Sequence, residues 1–169
     1  MNARRERRGS RPAVVRWSIV GQQQRTAGAF LDDPFNLQRF TDAQERVIGS
    51  VLAELRAGRK HSHWIWFVFP QLRGLGSSEM SARYAITSLA EARAYLAHPV
   101  LGPRLRQCTQ LVLAVPRTPI SEIFGAPDDL KFRSSMTLFA HAAGDDALFR
   151  EALRIYFDAV PDAATEALL

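Results

Sequence analysis

The amino-acid sequence predicts a mainly α-helical protein, a compact orthogonal multi-helix bundle in a single domain. Three observations lead there. Apolar residues recur at three- and four-residue steps along most of the chain, the spacing of one helix face. Ser, Thr or Asp stands at the start of these runs and Gly or Pro at their ends, the signals that cap and stop helices. No run alternates apolar and polar residues over the length of a strand. At 169 residues the chain is long enough for one domain around one good core.

Asp33-Pro34 pairs an N-cap with a first-turn proline. Leu37, Phe40, Gln44, Val47, Ile48, Val51 and Leu55 follow at helical spacing, and Gly58 closes the helix they predict. Trp64 to Phe69 is a continuous aromatic and β-branched run. It fits a buried strand or a short buried helix with Ser62 as a cap, and Pro70 ends either. Gln71 to Ser78 is a loop. Ser78 then caps a helix through Ile86. Ser88-Leu89-Ala90-Glu91 reads as a capping box, opening a helix that stops near His98-Pro99. A longer one runs from Leu101 to Val115 and ends at Pro116. Thr118-Pro119 starts a short turn that closes at Gly125. Asp128 or Asp129 opens a helix through Ala143, with Gly144 as its stop. Asp145 or Asp146 opens another carrying Leu148, Phe149, Leu153, Tyr156 and Phe157. Pro161 stops that helix, and a frayed tail follows.

Composition narrows the function classes. Hydrophobic residues make up 47% and charged residues 23%, the balance of a soluble globular protein. No apolar run approaches the ~20 residues of a membrane-spanning helix, so no membrane partner is expected. The net charge of +5 is misleading. Residues 1–30 hold seven Arg and one Glu, whereas the remaining 139 carry 15 basic and 16 acidic side chains. The basicity belongs to the first 30 residues, which read as a disordered extension or an overcalled start rather than a transit peptide. The domain proper is residues 31–169. A nucleic-acid partner is not expected, because the folded part carries no basic stripe in bulk. The single Cys108 excludes an intramolecular disulfide and reads as a small buried helix-face residue, in keeping with the cytoplasm.

The stretch from Arg59 to Ser78 concentrates the candidate chemistry. It holds two of the three Trp and two of the four His. His61 and His63 show no metal-ligand spacing of the His-Glu-x-x-His kind, and no metal is expected. Trp64, Trp66, Phe67 and Phe69 are first of all core residues. The rival assignment has one Trp lining a pocket and stacking on a flat ligand, with the two Trp on one side of an extended segment. Gln71, Arg73 and the Gly74-Leu75-Gly76-Ser77-Ser78 loop offer donors ahead of a helix start, where backbone amides attract anions. The loop is neither a Walker A loop nor a G-x-G-x-x-G fingerprint. Lys131 and Ser134 are three apart on one helix face. The pair Ser134-Ser135, poor helix formers, indicates either close helix packing or hydrogen bonding to a ligand.

These motifs together carry a resemblance. Asp42-Ala43-Gln44, the run His63-Trp64-Ile65-Trp66-Phe67-Val68-Phe69-Pro70-Gln71-Leu72-Arg73-Gly74-Leu75-Gly76, Ala94 to Gly102, and Lys131-Phe132-Arg133-Ser134-Ser135-Met136-Thr137-Leu138-Phe139 resemble the signatures of the bacterial domain-of-unknown-function family numbered 1810. The resemblance covers about residues 34–158. It implies a compact, predominantly α-helical fold. Members often carry the label calpastatin, but nothing in this chain looks like a calpain-binding repeat. The family is distantly similar to the NADAR group, linked to NAD and ADP-ribose metabolism. That likeness implies a nucleotide-ribose pocket and, if the protein is an enzyme, N-glycosidic hydrolysis of an ADP-ribose-type compound. This chain departs from the family pattern at Ile48, where Tyr is common, at His61, where a basic residue is usual, and in its first 30 residues.

The expected site is a polar-aromatic pocket built by Gln44, His63, Trp64, Gln71, Arg73, Gly76, Lys131 and Ser134, with a small nucleotide as ligand and no cofactor. Arg73 and Lys131 would hold anionic groups, Trp64 would stack, and Gln44 and Ser134 would bond a ribose or base. His63 is the candidate general acid–base, since its charge changes near neutral pH. No carboxylate stands out as its partner. The alternative is a non-enzymatic protein-interaction or regulatory module with the aromatic segment as its hot spot; no particular protein partner is indicated. Nucleic-acid binding through the Arg-rich residues 1–30 would show as affinity lost on their deletion.

Overall fold

Asp33 opens the described part of the chain, which in this computed structural model comprises residues 33–115 and 117–169. The expectations for residues 1–30 and for the stop at Pro116 lie outside the described residues. The helix expected from Pro34 begins only at Gln38, after a turn, and the Asp33 carboxylate reaches its first amides from further back, accepting from Leu37 (2.7 Å) and Gln38 (2.9 Å). The single helix expected up to Gly58 is in fact two, α1 (Gln38–Glu45) and α2 (Ile48–Arg56). Val47 leaves the helical region at φ −128° between them. The break lets Phe40 and Gln44 of α1 and Val51 and Leu55 of α2 all reach the core. Gly58, at φ +68°, ends α2.

The ambiguous aromatic run is helical over one turn, α3 (Ile65–Val68). Helix α4 (Glu79–Arg83) is capped by Ser78, whose hydroxyl accepts from the Ser81 amide at 3.1 Å. It stops before Ile86 because Ile86 forms an isolated parallel bridge with Leu72. The Ile86 amide donates to the Gln71 carbonyl (2.8 Å), and the Arg73 amide donates to the Ile86 carbonyl (2.9 Å). Helix α5 (Leu89–Ala97) uses half of the expected capping box. Ser88 Oγ accepts from the Glu91 amide, but the Glu91 carboxylate turns to Thr87 rather than back to Ser88.

Helices α6 (Leu101–Leu113), α7 (Ile120–Phe124), α8 (Asp128–Ala142) and α9 (Leu148–Phe157) follow much as predicted. The tail is not frayed. It forms α10 (Ala163–Glu166), capped by Asp162, with Thr165 fully buried. The Asp162 amide donates to Thr137 Oγ1 (2.9 Å), and the Arg133 guanidinium donates to the Val160 carbonyl. These bonds hold the C-terminal turn against α8.

Helix α8 organises the all-α fold, packing against α3, α5, α7, α9 and α10. Phe132 and the run Ser134 to Phe139 are buried, as expected of a helix surrounded by others. Among the described residues there is no strand, and no helix is long and apolar enough to cross a membrane.

The approach of α5 to α6 is close at Gly102. A Cβ there would stand 2.1 Å from the Leu96 carbonyl oxygen. Gly102→Ala is therefore expected to cost about 3 kcal/mol, the range of overpacking against immovable backbone. Gly49→Ala on α2 meets open space and should stabilise by roughly 0.5–1 kcal/mol. Urea midpoints of the two variants check both signs.

Candidate functional site

Glu54 of α2 fixes the entrance to the aromatic turn. Its carboxylate accepts from the amides of His61 (2.8 Å) and Ser62 (3.2 Å), from the Ser62 hydroxyl, and from the Trp64 indole N–H (2.8 Å). Burial pushes the Glu54 carboxyl up, but these four donors outweigh it and hold the group at about 2. Trp64 is thereby anchored in the core at 1% exposure. The other end of the turn is secured by Gln44. Its side-chain amide donates to the Phe67 carbonyl (2.7 Å), which also accepts from the Tyr95 hydroxyl (3.3 Å). A four-residue helix leaves its last carbonyls without intrahelical partners, and this pair satisfies one of them.

Two expectations are corrected by this geometry. Trp64 packs in the core rather than against a ligand, because its indole lies against Phe69 and Phe124 and its N–H is spent on Glu54. Gln44, 1% exposed, spends its amide on the core rather than on a ligand. The expectation that both Trp share one side rested on an extended segment. In a helix, residues two apart diverge by about 200°, and Trp66 emerges half-buried where Trp64 does not.

Trp66 lines two adjoining cavities, of about 390 and 470 Å³, and shares both with Gln71, Gly76 and Ser81. The Leu72–Ile86 bridge explains the placement of Gln71. Local extension alternates side chains, so Gln71 and Arg73 flank the buried Leu72. Arg73 lines the first lobe. It is exposed, and among the described residues no carboxylate pairs with it. Gly76 passes so close to Ser81 that a Cβ would lie 2.7 Å from the serine Cβ, which accounts for glycine at this wall.

Lys131 and Ser134 of α8 line the second lobe with Leu75, Leu130 and Asp162. The Lys131 ammonium sits 4.5 Å from the centre of the Trp66 ring and 2.7 Å from Asp128. Lys60 reaches the other oxygen of the same carboxylate at 2.6 Å. Burial would raise the Asp128 carboxyl, but the hydrogen bonds from Lys131 and Lys60 prevail and keep it below the usual carboxylate range. Two lysines thus share one carboxylate, and Lys131 faces the lobe opposite a second carboxylate, Asp162. Ser134 Oγ donates to the Leu130 carbonyl (3.1 Å), and no hydrogen bond joins it to Lys131. The Trp66 indole N–H is buried without a partner among the described residues.

His63 is exposed and lines neither lobe, so the expected acid–base group stands apart from the cleft. Asp162 is the carboxylate that sequence reasoning missed. Its Oδ2 is committed to Thr165 (2.9 and 2.6 Å). The acid cap before a short helix was its only local signal, inside a tail expected to fray. The loop before α4 offers no dipole-based anion site, because α4 is five residues long and Ser78 already satisfies the Ser81 amide. Cys108 is fully buried, and desolvation pushes its thiol up to about 12, which suits a packing role.

Fold and cleft together define an all-α protein with an aromatic-floored, cation-flanked groove built from α3, the loop before α4, α8 and the C-terminal turn. The family model described as "Protein of unknown function (DUF1810)" matches residues 34–169, and the chain belongs to that family. It is similar to the conserved hypothetical protein Rv1873 from Mycobacterium tuberculosis, known from a crystal structure. The two share 58% sequence identity and a TM-score of 0.80, over 81% of this chain and 98% of that one. No curated protein matches the chain.

Glu54 supplies a pH-dependent prediction. Its carboxyl is lowered from 4.5 to about 2. Its contribution to stability is therefore complete above pH 4.5 and lost as pH falls toward 2. Glu54→Gln should destabilise the protein at pH 7 by about 1 kcal/mol, a modest figure because solvent screens this partly exposed group. The variant should also lose less stability than the parent between pH 4.5 and 2, measured by denaturant unfolding at each pH.

Proposed function

We propose that this protein binds a small anionic ligand of the ADP-ribose or NAD class in the two-lobed cleft over Trp66. One observation carries the proposal: Trp66, Gln71, Gly76 and Ser81 are common to both lobes, and each lobe has its own cation, Arg73 in one and Lys131 in the other. Clefts of this volume, with apolar walls and a few convergent polar groups, are where small molecules bind. In this reading Arg73 takes a phosphate through its planar fork. Lys131 supplies a point charge over the indole. Gln71 and Ser134 bond ribose hydroxyls, and the unpartnered Trp66 N–H awaits an acceptor. A distant likeness to the NADAR group, as the resemblance of the sequence motifs implies, would favour a nucleotide among anionic ligands. Should the site prove catalytic, N-glycosidic hydrolysis is the reaction class, with Asp162 rather than His63 at the lobe. A reducing, cytoplasmic setting agrees with the lone buried Cys108.

A second reading has its own support. Leu130 and Leu168 are 57% and 52% exposed. Leu130 lines the second lobe, and a Cβ on Gly74 would meet Leu168 Cδ1 at 3.7 Å. Exposed apolar side chains beside a groove suit a protein partner.

A thermal-shift series on the full chain separates the two. NAD, ADP-ribose, mononucleotides and phosphate are compared for the parent, Arg73→Ala and Trp66→Phe. A ligand at 100 times its dissociation constant adds about 2.7 kcal/mol, a shift of several degrees. The expected result is a shift with ADP-ribose or NAD that Arg73→Ala abolishes and Trp66→Phe diminishes. No shift with any compound sinks the nucleotide reading in favour of the interaction module.

A further inference from the structure

Arg73 also borders a third cavity, of about 340 Å³, which Trp66 does not line. Arg39, Arg83 and Glu91 also line it. Three guanidiniums therefore face one carboxylate, and that carboxylate is already spent. Glu91, 1% exposed, accepts from Arg39 (2.6 Å), the Thr87 amide (2.8 Å) and the Thr87 hydroxyl (2.6 Å). Asp33, next to the wall residue Pro34, gives both oxygens to the Leu37 and Gln38 amides.

Arg39 is committed too. Besides Glu91, it donates to the carbonyls of Phe35, Asn36, Arg83 (3.1 Å) and Ala85 (2.9 Å). It builds the floor and leaves no fork for a ligand. Arg73 and Arg83 remain. Among the described residues neither has a carboxylate within ion-pair distance, and the Arg83 side chain makes only a ring contact, 5.5 Å from the Tyr84 centre. Their backbones are nonetheless fixed, Arg73 by the Ile86 carbonyl (2.9 Å) and Arg83 by the Arg39 guanidinium (3.1 Å). Two uncompensated guanidiniums, carried on fixed backbone and lining one concave surface, match the oxygens of a phosphate group.

We infer that this third cavity is a second anion subsite, in which Arg73 and Arg83 hold one phosphoryl group of a diphosphate whose other phosphoryl lies in the first lobe. Arg73 lines both cavities and bridges the two groups. The inference deepens the proposed function, since a diphosphate is the link in a dinucleotide, but the subsite can be probed without a nucleotide.

The test is a titration of the full chain with inorganic pyrophosphate and, separately, orthophosphate, followed by backbone amide NMR shifts. Residues 1–30 carry seven Arg and will attract either anion, so position-resolved shifts and comparison with variants are essential. Shifts are expected at Arg73 and across Arg83 to Thr87, with pyrophosphate binding there at least tenfold tighter than orthophosphate. Arg83→Ala and Arg73→Ala should each weaken it at least tenfold, and Arg83→Lys should recover only part. Unchanged amides at Arg83 to Thr87, or an Arg83→Ala variant that titrates like the parent, overturns the subsite. If pyrophosphate binding depends on Arg83 while ADP-ribose and NAD fail to bind, the subsite stands and the nucleotide reading falls. If ADP-ribose binding needs Arg73 while Arg83→Ala changes nothing, the reverse holds.

Discussion

The ring of Phe132 is the junction on which the cleft depends. It meets Phe69 edge-on at 5.0 Å and stacks with Phe124 at 4.9 Å. Trp64 closes the cluster against both Phe69 and Phe124. These rings come from the turn around α3 and from the consecutive helices α7 and α8, which lie far from α3 in the chain. Each aromatic pair contributes roughly 0.5–1.5 kcal/mol beyond the area it buries, and their tilted and stacked geometries fix orientation as well as contact. With α3 locked against α8 in this way, Trp66 and Lys131 face each other at 4.5 Å. The floor and one cation of the cleft follow from core packing rather than from any interaction within the cleft.

Charge is distributed by the same logic. Glu54 and Glu91 are carboxylates whose oxygens are consumed in holding loops, the first at the entrance to α3 and the second below Arg39. Asp128 is divided between two lysines. Carboxylates buried near cations would ordinarily cancel them, yet here they are occupied elsewhere or outnumbered. Uncompensated positive charge is left at Arg73 in the first lobe, while Lys131 shares the second with Asp162, though the chain beyond residue 30 is close to neutral overall. Short-range arrangement, not net charge, makes the groove attractive to anions.

Much of the fold was legible because its signals are local. Ser78 and Ser88 cap where they were expected to, and Gly58, Gly125 and Gly144 adopt the positive φ of helix ends. Such caps depend on neighbours within a few residues. The misplaced elements depended on distant partners. The break at Val47, the early end of α4 and the order of the C-terminal turn were set by core contacts, by the Leu72–Ile86 bridge, and by Arg133 and Thr137 of α8. The lining of the candidate cleft was legible in part. Gln71, Arg73, Gly76, Lys131 and Ser134 do meet at the cleft, while Trp64, Gln44 and His63 do not.

The sequence by itself determined the helical class, most helix boundaries, the buried aromatic segment, and two of the stretches of chain from which the cleft is made. Periodicity and caps encode these, and both act over a single turn or two. Only the tertiary structure decided which tryptophan faces the cleft, since one helical turn in place of an extended strand reverses the relation of residues two apart. It alone decided that Gln44 serves the Phe67 carbonyl. It alone brought Arg73 beside Arg83 and Asp162 beside Lys131. Those outcomes rest on which hydrogen-bonding groups remain unsatisfied once distant segments pack, and spacing along the chain does not record that.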